Sequence, residues 1–535
     1  MEGETGKTLI RVKKYQYEII LEGILVGACA GVAVSLLRIG LIKAEALRNI
    51  VIGRAYGGGT DLLVAIAALV LCWGGAALAL KIAPLCGGSG IPQVKAELLG
   101  RVSQDWKKVL ICKIFGCLAA IGGGLSLGRE GPSIQIGAMA GKGVSRISGK
   151  LKTEEKILMT CGAGAGLSCA FGAPLAGVIF ALEELHKSFS TEVLLSTMAA
   201  SVTSNFISSE IFGMSPVFDL KLSSYLPLKY YWIIIIAGVF LGAFGVVYNK
   251  TTEFVQNLYD KIKMPAVRLI IPFMLVVPLA VIYPDVLGSG SELVKRTAYG
   301  EFILGALAVL LVVKFAFSVI SFGSGSPGGI FLPLLVMGGV SGGLVAAVTG
   351  RLISGTLDSW YLDNFVMLGM VGFFSAVVRA PITGVILITE MVGDFKSFLA
   401  LCIVALASYI TAELLRGEPI YDQLLARLLR KSDSPKGTEG IADAEGASGA
   451  DSEAFEKVLV DSDVYIGCLM DGKKIETMDL PAGTLIVSVL RQGVEITPNG
   501  STRLRGGDKI TVICDQRNLY TVMRELDRVL KTVAS

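Results

Sequence analysis

The chain is predicted to be an all-α polytopic membrane protein built as two repeats of tilted and broken helices, followed by a small α+β domain. Three observations predict it. The 535 residues are 53% hydrophobic and 18% charged with a mean hydropathy of +0.65, more apolar material than the surface and core of a soluble chain this size hold. Apolar runs nearly free of charge stand at Ile19–Leu37, Leu62–Leu80, Tyr230–Val247, Phe302–Ile320 and Phe398–Ile410, and several are long enough to cross a bilayer as helices. Three short motifs recur about 200 residues apart.

The ends of the apolar region give its orientation. Arg11, Lys13 and Lys14 precede the first run, and no small-residue cleavage site follows it. This pattern predicts a retained span with residues 1–17 on the cytosolic side. Arg416, Arg427, Arg430 and Lys431 follow the last run, which puts the C-terminus on the same side and implies an even number of full crossings.

Composition also excludes several classes. Ten cysteines are scattered without a CxxC pair, many inside apolar runs, and they read as small buried hydrophobes and not as a disulfide framework or metal site. His186 is the only histidine, which argues against zinc chemistry and His-based triads. A net charge of +4 is too small to suggest nucleic-acid binding. No nucleophile and base pair is in view, so an enzyme is not expected.

The repeat is read from three matches in the same order. Gly88-Ser89-Gly90 returns as Gly288-Ser289-Gly290 at an offset of 200. Gly128-Arg129-Glu130-Gly131-Pro132 returns in outline as Gly329-Ile330-Phe331-Leu332-Pro333 at 201. Ala173–Glu183, which opens Ala-Pro-Leu-Ala-Gly, returns as Ala380–Glu390 at 207. The membrane part therefore comprises two halves, roughly 18–215 and 228–415, whose Gly/Pro-interrupted segments point to a binding site near the bilayer midplane. Sequence alone leaves parallel and inverted repeats open.

Glu130 needs a reason, because it sits in a polar, helix-breaking stretch within the apolar run Val109–Ala140. Pro132 suits the first turn of a helix and should begin one. The free N–H groups and positive dipole end of such a helix suit an anion, with the Glu130 carboxylate as ligand or competitor. Gly88-Ser89-Gly90-Ile91-Pro92 repeats that logic with a hydroxyl donor, Ser89; on its own a serine here is most often a helix cap, and the three such starts together favour an anion ligand. In the third motif, Gly328 and Gly329 let the backbone approach closely, so that the N–H groups of Ile330 and Phe331 can serve without a charged side chain.

Glu183 and Glu184 end an apolar helix, where acids are commonly polar helix ends at the surface. The repeat matches Glu183 with Glu390 but Glu184 with Met391, so a structural role suits Glu183 and a proton acceptor is open for Glu184. Lys314 and Arg379 lie in the apolar second half, snorkelling or paired, and receive no role. Tyr421, just past the last span, reads as an interfacial anchor or a ligand.

Lys431–Glu453 is rich in Ser, Gly, Ala, Asp and Glu and reads as a flexible linker. Beyond it, 454–535 is predicted to form a small domain. Its elements are a strand at Thr484–Val489, turns at Pro498-Asn499-Gly500 and Gly506-Gly507-Asp508, a strand at Lys509–Cys514 and a helix over Gln516–Leu530.

Together the three motifs, from Gly88 through Pro92, Gly128 through Pro132 and Gly329 through Pro333, resemble the CLC family of chloride channels and proton-coupled chloride exchangers, prokaryotic type, over residues 18–430. The resemblance implies inverted repeats, a homodimer in a prokaryotic plasma (inner) membrane, and chloride as the transported ion with no cofactor or metal. It implies that the hydroxyls of Ser89 and Tyr421 and the backbone of Ile330 and Phe331 hold the central anion. Glu130 would be the outer gating glutamate and Glu184 the inner proton glutamate. Family channels usually lack an acid at the latter place, which favours a chloride/proton antiporter over a passive channel. The segment from Leu480 through Asp508 resembles a TrkA-C domain, a small-molecule or nucleotide sensor or a dimerisation module.

Overall fold

A computed structural model of the protein describes residues 3–55, 59–187, 190–218, 220, 226–353, 361–432, 457–465, 467–477, 484–491, 494–515 and 519–531. The expected linker from residue 433 onward, residues 454–456 and Leu480–Gly483 lie outside them. The chain divides into two compact units, Met1–Thr438 and Glu439–Ser535.

Among the described residues the first unit is built of helices joined by loops. Its first half comprises α1 (Gly3–Ala55), α2 (Thr60–Ile82), α3 (Ile91–Leu98), α4 (Trp106–Gly122), α5 (Glu130–Ile147), α6 (Lys152–Phe171), α7 (Pro174–Phe180) and α8 (Thr191–Phe212). The second comprises α9 (Tyr231–Asp260), α10 (Pro265–Ile282), α11 (Ser291–Ala298), α12 (Leu304–Gly323), α13 (Phe331–Ile353), α14 (Leu362–Val378), α15 (Pro381–Val392) and α16 (Phe398–Leu414). The halves match helix for helix among the described residues, and α17 (Ile420–Ser432) follows both. Among the described residues, six helical stretches, in α1, α2, α9, α10, α12 and α13, are long and apolar enough to cross a membrane, whereas α14, α15 and α16 are apolar but shorter. The run Phe398–Ile410 thus belongs to a short helix.

The helices that open the three motifs start before their prolines: α3 at Ile91, α5 at Glu130 and α13 at Phe331. The sequence expectation of a start at Pro132 is corrected by two residues. A first-turn N–H has no partner within the helix, so proline's missing donor costs nothing at the second or third position. Glu130 is therefore the first residue of α5 and not a group facing it from outside.

Contacts between the halves are exchanged in pairs, as a two-fold relation requires and as inverted-topology repeats display. Glu183 accepts from the backbone N of Thr383 at 2.9 Å and from its hydroxyl at 2.7 Å, at the start of α15. Its repeat mate Glu390 accepts from the backbone N of Leu175 at 3.1 Å and of Ala176 at 2.8 Å, at the start of α7. Each acid caps the other half's helix. Lys314 is buried, and its Nζ donates to the carbonyls of Val286 at 2.9 Å and Gly288 at 3.1 Å. Lys113, at the repeat spacing, donates to Cys86 at 2.9 Å and Gly88 at 2.7 Å. These lysines do not snorkel; they hold the glycine loops before α11 and α3. Arg379 donates to the carbonyls of Tyr409 and Gly417, both at 2.9 Å, and to Glu413.

Close helix packing follows the same symmetry. A Cβ on Gly137 or Gly162 would strike the other's backbone, which brings α5 against α6, and Gly338 and Gly369 do the same for α13 and α14. Small residues allow such approach where lipid supplies no hydrophobic drive between helices.

The second unit is an antiparallel four-stranded sheet of order β1-β4-β2-β3, with β1 at Lys457–Asp463, β2 at Leu485–Arg491, β3 at Val494–Ile496 and β4 at Lys509–Asp515. Helix α18 (Leu519–Lys531) contributes Leu526 and Leu530 to a core with Val460, Ile486, Val489, Ile510 and Val512. β2 and β4 lie where the sequence puts strands, each ending one or two residues later, while β1 and β3 are additional. Buried Asp508 accepts from Arg491 Nε at 2.8 Å and Nη2 at 2.7 Å and from the Arg505 N–H at 2.8 Å. Burial alone would raise its carboxyl, but these donors outweigh burial and hold it below the usual carboxylate range.

Candidate ion site between the two halves

The broken helices bring their loops together at the junction of the halves. Gly128 and Gly329, themselves repeat mates, form a two-bond antiparallel bridge, with Gly128 N donating to Gly329 O at 2.7 Å and Gly329 N to Gly128 O at 2.8 Å. The bridge sets the N-termini of α5 and α13 side by side. Gly88 N donates to Gly325 O at 3.2 Å, and Gly288 N donates to Gly124 O at 3.0 Å, so the loops before α3 and α11 are fastened the same way. Gly131 lets the first turn of α5 approach Ser89, because a Cβ there would lie 2.7 Å from the Ser89 carbonyl oxygen. Gly90 has φ 95°, and a Cβ on it would lie 2.6 Å from Gln135 Oε1. Free N–H groups and positive dipole ends are thereby concentrated in a buried region.

Ser89, Glu130 and Tyr421 are buried there, with exposures of 2%, 0% and 0%. Ser89 Oγ, Tyr421 OH and both carboxylate oxygens of Glu130 have no hydrogen-bond partner among the described residues. Such groups are costly to leave unpaired, at about 1–3 kcal/mol each, so the site is chemically suited to an added anion for the hydroxyls. Tyr421 is not an interfacial anchor: its hydroxyl has Glu184, Tyr248, Glu130 and the Ser89 hydroxyl as electrostatic neighbours. Ile330 and Phe331 are fully buried at the start of α13, where the first-turn N–H groups have no partner within the helix.

Glu130 faces mainly backbone. Its own N–H and that of Leu332 lie within interaction range of its carboxyl, and Arg129 Nε stands 3.9 Å from Oε1. The repeat mate of Glu130, Phe331, packs its ring against Phe374, Phe171 and Phe180 at 4.7, 5.4 and 6.1 Å between centroids. The titratable position in one half is thus an apolar plug in the other.

Two cavities reach this region. One, of about 340 Å³, is lined by Arg38, Arg129, Ser289, Lys295 and Leu332. The other, of about 130 Å³, is lined by Gly88, Ser89, Gln93 and Arg427. The mates Ser89 and Ser289 therefore mark different cavities.

Glu184 lies on a π-helical turn, Ala181–His186, and is buried; such turns are rare and frequently stand at functional sites. It is not a free helix end at a surface: Lys95 Nζ donates to Glu184 Oε1 at 2.8 Å and to Asp422 Oδ1 at 2.5 Å. Sequence reasoning missed Lys95 and Asp422. The available signal was charge: Lys95 and Glu97 are unexpected on a short apolar-flanked helix, and Glu97 likewise pairs with Lys142 and accepts from Gln104 Nε2 at 2.8 Å.

The family model described as voltage gated chloride channel matches residues 67–413, and the TrkA-C domain model matches residues 459–527. The H(+)/Cl(-) exchange transporter ClcA of Salmonella arizonae is 31% identical over 399 residues, covering 72% of this chain and 82% of the relative. The protein of the same name from Salmonella paratyphi B is 32% identical over 387 residues, covering 70% and 80%. Among solved structures, a slow cyanobacterial Cl-/H+ antiporter superposes with a TM-score of 0.73 at 28% identity, covering 78% of this chain and 99% of that one. A CLC-type fluoride/proton antiporter superposes at 0.62 with 20% identity, covering 76% and 97%, and shares the fold. The exchanged contacts, the matched helices and the family model together establish that this chain belongs to the CLC family and carries a TrkA-C domain at its C-terminal end.

Proposed function

We propose that the protein exchanges chloride for protons across a bacterial inner membrane, as a multi-pass homodimer with both termini cytoplasmic. The observation that carries this reading is Glu130: a fully buried carboxyl with the N–H groups of Glu130 and Leu332 nearby but no hydrogen bond of good geometry among the described residues, placed where two helix N-termini meet. Its relatives named as H(+)/Cl(-) exchange transporters support the substrate pair.

Chloride is the cargo. The Ser89 and Tyr421 hydroxyls and the backbone N–H groups of Ile330 and Phe331 hold it centrally, with dipoles instead of a fixed positive charge. Weak multiple ligands suit an ion that must also leave. Ionised Glu130 occupies the outer anion position among the N–H groups of α5 and α13; on taking a proton it loses its claim on those dipoles and swings away, admitting an anion. Gly88, Gly90, Ile91 and Pro92, with Gly128, Arg129, Gly131, Pro132, Gly329, Leu332 and Pro333, shape the loops that hold these ligands. Glu184 takes protons from the cytoplasmic side, and Tyr421 stands within electrostatic reach of both acids.

The test is the reversal potential of purified protein in liposomes with chloride and proton gradients imposed together. Exchange predicts a potential set by both gradients and proton movement that stops in Glu130→Gln. A potential following chloride alone would establish a passive channel, and proton movement surviving Glu130→Gln would remove Glu130 from the mechanism.

A further inference from the structure

One buried cation ties together parts that the transport reading treats separately. Lys95 lies on α3, which begins just after Ser89, and its side chain is 4% exposed. Its Nζ bonds Glu184 Oε1 at 2.8 Å and Asp422 Oδ1 at 2.5 Å. Asp422 directly follows Tyr421 at the start of α17. A single ammonium, with three donors, therefore joins the helix behind Ser89, the turn bearing Glu184 and the helix bearing Tyr421. The repeat mate Lys295 lines the cavity beside Arg129, and Met391 stands at the place matching Glu184, so the second half has no matching triad.

We propose that Lys95 is a positioning residue for coupling: it holds Glu184 in place and binds it to the movement of the Ser89–Tyr421 hydroxyl pair. This inference rests on the exchanger reading above. The charged and titratable groups around Glu184 are Lys95 from α3, Asp422 and Tyr421 from α17, and Glu183, His186 and Lys187 from its own turn. Glu183 is committed to Thr383, His186 contacts the Thr160 hydroxyl at 3.2 Å, and Lys187 lies 3.9 Å from Asp422. Among the described residues, Lys95 is the one cation bonded directly to Glu184. When Glu184 takes a proton from cytoplasmic water and becomes neutral, Asp422 remains as counter-ion to Lys95. The buried ammonium is never left unpaired, which would be strongly unfavourable. A shift of α17 that displaces Tyr421 pulls on Asp422, and through Lys95 alters the surroundings of Glu184 in the same motion.

The experiment compares wild type, Lys95→Met, Lys95→Arg, Asp422→Asn and Glu184→Gln in liposomes, reading chloride flux, the chloride-to-proton ratio and the pH profile of proton movement. In Lys95→Met, chloride flux persists while proton coupling at neutral pH falls about tenfold or more, and its pH profile moves about 1–3 units alkaline, the effect of losing a charge partner at this range. Lys95→Arg restores both, and Asp422→Asn moves the profile by a smaller amount. Wild-type coupling and pH profile in Lys95→Met would overturn the proposal. If that variant is not monodisperse, unchanged pH profiles in both Lys95→Arg and Asp422→Asn overturn it instead. Glu184→Gln keeps the two readings apart: intact coupling there refutes Glu184 as proton acceptor, whereas lost coupling there with normal Lys95→Met refutes only the role of Lys95.

Discussion

Replacing Tyr421 with phenylalanine separates the protein's own stability from its hold on an anion. The ring is fully buried and stays packed, and the atom removed is a hydroxyl that lies near the Ser89 hydroxyl but without hydrogen-bond geometry to it or to any other described residue. An orphan buried hydroxyl costs about 1–3 kcal/mol, so its removal leaves stability in chloride-free buffer equal or higher. A hydrogen bond to a charged ligand contributes about 1.5–3 kcal/mol, which at about 1.4 kcal/mol per decade weakens chloride binding roughly 10- to 150-fold. Binding is not abolished, because Ser89 and the α13 N–H groups remain. Calorimetric titration of chloride into the purified protein measures the loss, and thermal unfolding with and without chloride measures stability. Unchanged chloride affinity in Tyr421→Phe, or a stability loss above about 1 kcal/mol without chloride, would refute the assignment of this hydroxyl as a ligand.

Other consequences are equally measurable. Glu183→Ala and Glu390→Ala each remove an acid receiving two hydrogen bonds at a helix start, so each lowers stability by about 3 kcal/mol. Unfolding midpoints in detergent should fall by similar amounts, and a fall in only one would show that the caps are not equivalent. In the C-terminal unit, Asp508→Ala leaves Arg491 partly buried without its partner, at a cost of about 3 kcal/mol, seen as faster proteolysis within 457–531 of the full-length protein. The wild-type Asp508 carboxyl is held below its ordinary value, so its stabilisation is present above the unfolded pKa near 3.9 and disappears as pH falls through the lower folded value. Protease resistance that stays constant down to pH 2 would count against this pair.

The class of fold, the doubled architecture and the loops of the candidate site were legible because each rests on local chemistry repeated in sequence. Glycine before a helix, proline in its first turn and an acid in an apolar run are visible without knowing what they touch. The helices start two residues before the proline at Glu130 and Phe331 and one before it at Ile91, since proline marks the first turn and not its first member. By local pattern Tyr421 stays open between interfacial anchor and ligand, because one aromatic past a span carries no sign of burial; only the resemblance makes it a ligand. Lys95 and Asp422 stayed invisible for a related reason: they are 327 residues apart, and only the folded backbone makes them neighbours. β3, three residues long, and β1, whose Lys457–Asp463 ends on the acids Asp461 and Asp463, were missed because each is held by pairing, with β2 and β4 respectively, which local pattern does not specify.

The exchanged caps on α7 and α15 have a consequence for synthesis. Until Glu390 is made, 215 residues after Leu175, the N–H groups that open α7 have no acid to receive them. At about 5–20 residues per second that interval is roughly 10–45 s. During it the first half is an unfinished lodger in the membrane, with one helix end open to whatever polar company the insertion machinery provides. The protein's two halves therefore share a birth order as well as an axis: the older waits for Glu390 to close α7, while the younger finds Glu183 already in place for α15.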